Sequence, residues 1–146
     1  MIKPDEKIVE AFLLNYGWEF RTSGTGVWET GWQGEKVCFP LIISLSDFWL
    51  SFSVKPFFKM NKRLARDPEF LSFLMELNED NHLVKLSLSD RCVNLNAEMF
   101  VDYVNFESFS DVLSVVGYYA DTLLDRISEK VAELDHLQVK QTKFLS

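Results

Sequence analysis

Cysteine, histidine and positive charge are all scarce in this chain. Two cysteines and two histidines in 146 residues fall short of a zinc site, which takes about four ligands at short paired spacings. Cys38 and Cys92 also lie far in sequence from His82 and His136. Nor do two thiols make a disulfide framework; they read as half-buried strand thiols in a reducing compartment. Lysine and arginine number 15 against 22 aspartates and glutamates, a formal charge of −7. A nucleic-acid-binding domain carries a positive field that displaces counterions from phosphates, so no nucleic-acid partner is expected. Long apolar runs are missing too. The most apolar stretch, 37–45, is too short for a membrane helix and contains Pro40. No apolar stretch stands behind a basic start at the N-terminus, so a cytoplasmic location without a membrane partner is expected.

The motifs of catalysis are lacking as well. There is no Gly-x-Ser-x-Gly elbow, and no motif places a histidine beside either cysteine. Ser23-Gly24-Thr25-Gly26 precedes a strand, whereas phosphate-binding loops open onto a helix N-terminus; it reads as a hairpin loop. His82 falls at a helix-to-strand junction and reads as a solvated loop residue. Asp121 and Asp125, spaced i, i+4, are the one carboxylate pair able to share a metal, but no third ligand stands near them and a solvated helix face accounts for both. No cofactor and no enzymatic activity are expected.

What the chain does have is apolar and aromatic material. Hydrophobic residues make up 47%, with thirteen Phe and four Trp. Each aromatic buries about 150–250 Å², enough for a core and for a second apolar surface. A chain of this length suits one domain, 1–146, burying roughly two-thirds of its unfolded surface.

The order of elements follows from periodicity. Pro4, Asp5 and Glu6 suit the first turn of a helix whose apolar face is Ile8, Val9, Phe12, Leu13 and Tyr16, and Gly17 stops it. From 27 the pattern changes to a period of two. Trp28, Thr30 and Trp32 share one face; Val37, Phe39, Leu41, Ile43 and Leu45 share another; Phe48, Leu50, Phe52 and Val54 alternate with Trp49, Ser51, Ser53 and Lys55. Alternation sustained over these residues means antiparallel strands with one buried face each. Pro40 implies a local edge or bulge, and Pro56 is expected to close the meander. A basic connection follows, Lys55 to Arg66, interleaved with Phe57, Phe58 and Met60. It reads as a solvated link with its apolar residues tucked inward, or alternatively as a contact for RNA or an acidic partner. Asp67 and Pro68 then cap and open a second helix. A hairpin with its turn at Asp90-Arg91 comes next. Ser108-Phe109-Ser110-Asp111 resembles a capping box and opens a long helix striped by Phe109, Val112, Val116, Ala120, Leu123, Ile127, Val131 and Leu134. Gly117 inside it loses about 0.5–1 kcal/mol relative to alanine, which implies close approach to the sheet or a partner helix. Period is lost after Asp135, so 136–146 is expected to be a frayed tail. The order is helix, three or four strands, helix, two strands, helix, and it predicts an α+β fold of two layers with an antiparallel sheet and helices packed on one face.

The tryptophans are unevenly placed. If helices cover one side of the sheet, some of Trp28, Trp32, Trp49 and Ile42 lie on the uncovered side, where apolar patches mark interaction surfaces. Otherwise a helix or loop buries them. With Phe57 and Phe58 they form the candidate partner-binding set.

The segment Phe73-Leu74-Met75-Glu76-Leu77-Asn78, then Val84-Lys85-Leu86-Ser87-Leu88, a turn, and a helix carrying Tyr119-Ala120-Asp121 resembles the YbjN-like family of bacterial proteins. That family shares its fold with type III secretion chaperones, including the Tir chaperone group, and the resemblance implies their two-layer α-β-β-β-α-β-β-α architecture, which the order of elements matches. The likeness extends over most of the chain as topology and over 70–125 as motif; the N-terminal half carries no family motif. The resemblance implies a homodimer of the secretion-chaperone type, which holds an extended client segment against apolar patches, or a regulator without enzymatic activity. It brings no catalytic residues; Asn78 and Asp121 match its pattern, and capping or packing suffices for both. The expected function is a non-enzymatic protein-binding module, chaperone-like or a regulatory adaptor. The alternative is a small-molecule sensor with an aromatic pocket between sheet and helices.

Overall fold

The computed structural model describes residues 5–145. Pro4 and Ser146 lie outside them. Helix α1, Glu6–Tyr16, starts one residue after Asp5, which caps it instead of joining its first turn: the Asp5 carboxylate accepts the Ile8 N–H at 2.9 Å, and Gly17 closes the other end at φ +93° as expected. Its inner face buries Val9 and Leu13 and sets Phe12 against the rings of Phe106 and Phe109, 6.0 and 5.5 Å away.

Six strands follow the alternation read from sequence: β1 Arg21–Thr22, β2 Val27–Gln33, β3 Cys38–Leu45, β4 Trp49–Lys59, β5 Lys85–Ser89 and β6 Cys92–Phe100. They form one antiparallel sheet in the order β1-β2-β3-β4-β6-β5. Pro40 sits opposite Gly31 of β2, just outside the β3–β4 ladder, which runs from Leu41 to Leu45. Its missing N–H thus falls where β3 has one neighbour, a local edge inside a central strand. Pro56 does not end the meander as expected. Strand β4 continues to Lys59 through a register shift between Val54 and Phe58, an irregularity that accommodates a residue unable to donate to the ladder. The β5–β6 hairpin turns at Asp90 and Arg91, both at positive φ (49° and 60°), the geometry of a two-residue turn with mirror-image twist.

The connection after β4 contains a short helix, α2 Lys62–Ala65, capped by Asn61. Asp67 and Pro68 then start α3, Pro68–Asp80, in the expected roles. After β6 a single 3-10 turn, Val101–Tyr103, leads to α4, Phe106–Leu145. The reciprocal cap lies three residues before the expected one: Asn105 accepts the Ser108 N–H at 2.8 Å while Ser108 Oγ accepts the Asn105 N–H at 2.9 Å. The far end of α4 also departs from expectation. It is helical past Asp135 instead of frayed, where Leu134 is buried, Asp135 pairs with Arg63, and Leu, Gln and Lys favour helix.

The helices pack on one face of the sheet. Trp28, Phe39, Leu41, Ile43, Leu50, Phe52, Val54, Leu95 and Ala97 line that face and meet Val9, Leu13, Phe109, Leu113, Val116 and Leu123 in one buried core. The reason for Gly117 lies here. A β-carbon on it would overlap Cζ2 of Trp32, so the glycine is a notch in α4 that seats a β2 tryptophan, the close approach to the sheet that the sequence implies. Beside it, the Asp121 carboxylate accepts the Glu35 N–H at 3.0 Å, and Lys36 pairs with Asp125 at 2.7 Å. The two aspartates therefore fasten the β2–β3 turn to α4. Lys36 is held above the ordinary lysine range by its hydrogen bond to Asp125.

Candidate functional site

Strand register decides which tryptophan faces which way, because successive side chains point to opposite sides of a sheet. Trp28 is opposite Ile43 and Trp32 opposite Phe39, so both are on the helix-covered face. Trp28 is 1% exposed and its Nε1 donates to Glu10 Oε1 at 3.0 Å. Trp32 is half-buried among Trp18, 5.4 Å away, and the Gly117 notch. The register shift in β4 turns Phe57 against Phe39 (5.5 Å) and Phe58 against Phe70 (6.2 Å), also in the core. Of the candidate partner-binding set, Trp28 and Phe57 are thus buried, and Trp32 and Phe58 are half-buried on the covered side, as in the alternative where a helix covers the tryptophans and the link residues tuck inward.

Ile42 and Trp49 occupy the open face, and the register separates them. Ile42 lies opposite Glu29 and Ser53, in the middle of the sheet. Around it is a hollow of about 520 Å³ lined by Arg21, Glu29, Pro40, Ile42 and Lys55. Arg21 and Glu29 pair across it, and the hydrogen bond and charge of Glu29 raise the Arg21 guanidinium above its ordinary value. This hollow is on the outside of the sheet, not between sheet and helices where an aromatic pocket is the expectation. The next part of the face is polar: Ser53 Oγ donates to Asn96 Oδ1 at 2.9 Å, Asn96 Nδ2 to Ser87 Oγ at 2.7 Å, and Asn94 Nδ2 to Ser89 Oγ at 2.7 Å. This ladder of cross-strand hydroxyl and amide pairs leaves little apolar surface at the centre.

At the end of the strands the character changes. Trp49 is opposite Phe100, and the two rings stack at 4.5 Å with an interplanar angle of 24°. Tyr103, from the 3-10 turn, meets Phe100 edge-on at 6.3 Å. Phe48, Trp49, Phe100 and Tyr103 are 67, 39, 53 and 67% exposed. Trp49, Phe100 and Tyr103, in ring contact at one end of this face, form a contiguous aromatic surface, with the exposed Phe48 next to Trp49 in sequence, whereas single exposed apolar residues need no explanation. Trp49 is the one member that sequence pattern singles out. Phe48 follows the buried parity of Leu50 but precedes the first paired residue of β4, so the ladder does not turn it inward. Phe100 continues the alternation Val93, Leu95, Ala97, Met99 on its polar side, the signal that places it outside.

The fold, with helices on one side of a six-stranded antiparallel sheet, has a solved counterpart. The crystal structure of YbjN from E. coli, described as a proposed transcription regulator, superposes with a TM-score of 0.66 over 92% of this chain and 96% of that one, at 15% identity. This chain has a YbjN-like fold. No family model and no curated protein sequence matches it.

Chemistry on this YbjN-like frame is sparse. Among the described residues, no group of three or more His, Cys, Asp or Glu side chains is arranged to hold a metal, and no helix is long and apolar enough to cross a membrane. Cys38 is exposed and Cys92 half-buried, both free. The backbone N–H of His82 donates to the Tyr119 hydroxyl at 3.0 Å. Asn78 serves the structure, since its amide donates to the Leu86 carbonyl at 3.0 Å and accepts the Leu86 N–H at 2.7 Å. One side chain thus satisfies both backbone groups of an edge-strand residue and blocks that stretch of the edge against pairing with another chain.

Proposed function

We propose that this protein is a non-enzymatic binding module, an adaptor or chaperone-like regulator, that holds a segment of another protein on the aromatic end of its open sheet face. The observation that carries this reading is the exposed cluster Trp49, Phe100 and Tyr103, brought together from two chain segments by the β4–β6 pairing, with the Trp49 and Phe100 rings stacked at 4.5 Å and the exposed Phe48 beside Trp49 in sequence. Trp and Tyr dominate binding hot spots because they offer large contact area at low conformational entropy. The description of YbjN as a proposed transcription regulator is compatible with an adaptor role. The charge of −7 favours regulation through protein contacts over direct DNA binding. A homodimer of the secretion-chaperone type belongs to the same proposal.

The test compares wild type with the double variant W49A/F100A. Affinity capture followed by quantitative mass spectrometry should retain a partner on the wild type and lose it on the variant, with circular dichroism unchanged. The same partners captured by both proteins would remove this surface from the function. Sedimentation velocity over a wide concentration range tests the dimer, and a monomer throughout would reject it.

A further inference from the structure

The charges of this molecule are sorted along its strands, and the sorting coincides with the aromatic cluster. From 37 to 54 the only charged residue is Asp47, and from 92 to 125 every charged residue is acidic, beginning with Glu98, Asp102 and Glu107. These segments supply the aromatic end. Trp49 and Phe100 pair there, and Glu98 lies opposite Ser51, one step inward on the same face. The reverse holds where β4 ends. From 55 to 66 every charged residue is basic: Lys55, Lys59, Lys62, Arg63 and Arg66. The Met60 N–H donates to the Arg91 carbonyl at 2.8 Å, which brings Arg91 to this end together with its neighbour Asp90, and Arg63 is paired with Asp135, so the basic excess rests on the remaining lysines and arginines. Trp49 and Lys59 are ten residues apart on one strand, about 30 Å. That is several times the screening length of about 8 Å at physiological salt, so each end presents its own field.

Resting on the binding role proposed above, we infer that the occupant of the aromatic end is a cationic, apolar polypeptide segment, one in which arginine or lysine alternates with large hydrophobic residues. The exposed rings of Trp49, Phe100 and Tyr103 offer apolar area and negatively polarised faces, and the face of Trp is the best aromatic acceptor for a guanidinium or ammonium group. Asp47 and Glu98 supply the opposite charge at the rim. The same carboxylates repel acidic segments, nucleic acid and anionic lipid, so the arrangement selects by exclusion as well as by attraction.

The experiment uses the full chain and two labelled synthetic peptides, one alternating arginine and leucine, the other glutamate and leucine. Binding is read by fluorescence anisotropy across a salt series. The arginine peptide should bind and the glutamate peptide should not. W49A, or F100A as a second variant, should weaken binding by about tenfold or more. D47N/E98Q should weaken it and flatten the salt dependence, whereas K59Q/K62Q at the opposite end should leave it unchanged. Equal binding of both peptides, lost in W49A, would overturn the cationic class and leave the binding surface standing. Arginine-peptide binding that ignores both W49A and F100A would be diffuse attraction to the net charge, and would overturn the inference. Self-association lost in both W49A and K59Q/K62Q, without peptide binding, would make the occupant a second copy and also overturn it. If neither peptide binds and no captured partner depends on Trp49, the inference and the proposed function fail together.

Discussion

The two faces of this sheet are made from alternate residues of the same strands, yet they are built on opposite principles. The covered face is filled: Trp28 has a hydrogen-bond partner in Glu10, Trp32 has a notch cut for it at Gly117, and Phe57 and Phe58 have ring neighbours in Phe39 and Phe70. The open face has a ladder of serine and asparagine, a hollow lined by Pro40 and Ile42, and its large aromatics gathered at one end. Trp28 and Trp49 are the same residue type in the same sheet. Their fates differ because Trp28 is in register with Ile43 and Trp49 with Phe100. A tryptophan therefore says that much area is to be covered, and register says whether this chain or another covers it.

The largest test of that contrast is G117A. Alanine is the better helix former by about 1 kcal/mol, so propensity alone would raise stability. The added methyl would overlap the Trp32 ring, and overpacking of a closed interface loses about 1–3 kcal/mol, sometimes more. Overpacking wins, and a net loss of about 2 kcal/mol is expected, lowering Tm by roughly 4–8 °C. A G117A protein as stable as wild type would mean that the Trp32 seat is soft. The pair W32A/G117A should then recover part of the loss, because the clash needs both partners.

The second test concerns the sheet edge. N78A leaves the N–H and C=O of Leu86 without the partners that now sit at 2.7 and 3.0 Å, a loss of about 1–3 kcal/mol measurable by urea denaturation. It also unblocks part of β5, so light scattering at high concentration should rise. Loss of stability without any association would mean that Asn78 braces the α3–β5 junction and does not guard the edge.

How much of this was legible in sequence divides along the same line. The alternation in β3 and β4, the Gly17 stop of α1 and the Asp67-Pro68 start of α3 are local, and they placed the core and the two layers correctly. One feature was local but ambiguous, and two needed partners distant in the chain. The start of α4 is set by Asn105, because an Asn three residues before a serine closes the same reciprocal box as the Ser108 motif. Its far end is extended by the burial of Leu134 and by Arg63, 72 positions away from Asp135. The side on which Trp28 and Trp32 fall depends on β2–β3 pairing. Trp28, Thr30 and Trp32 are the apolar parity of their strand against Val27, Glu29, Gly31 and Gln33, but the side of the sheet that this parity takes is set only by its pairing with Ile43 and Phe39. The aromatic end was harder still: Phe48, Trp49, Phe100 and Tyr103 come from separate segments, and only the pairing of β4 with β6 joins them.

Two smaller effects belong to the open face. N96A removes the link between Ser53 and Ser87, and about 1 kcal/mol is expected from hydrogen bonds that water partly replaces. The aromatic pair is the finer probe. In a double-mutant cycle of W49A and F100A, the stacked rings should couple by only about 0.5–1 kcal/mol, because both remain open to solvent. A coupling of that size, with each single variant folded and close to wild-type stability, leaves the cluster with more exposed aromatic area than folding uses, as a docking surface requires. A loss of several kcal/mol from W49A alone would show the opposite. Trp49 would then hold the β4–β6 end together much as Trp32 holds α4 to the sheet, and the two faces would differ in exposure but not in kind.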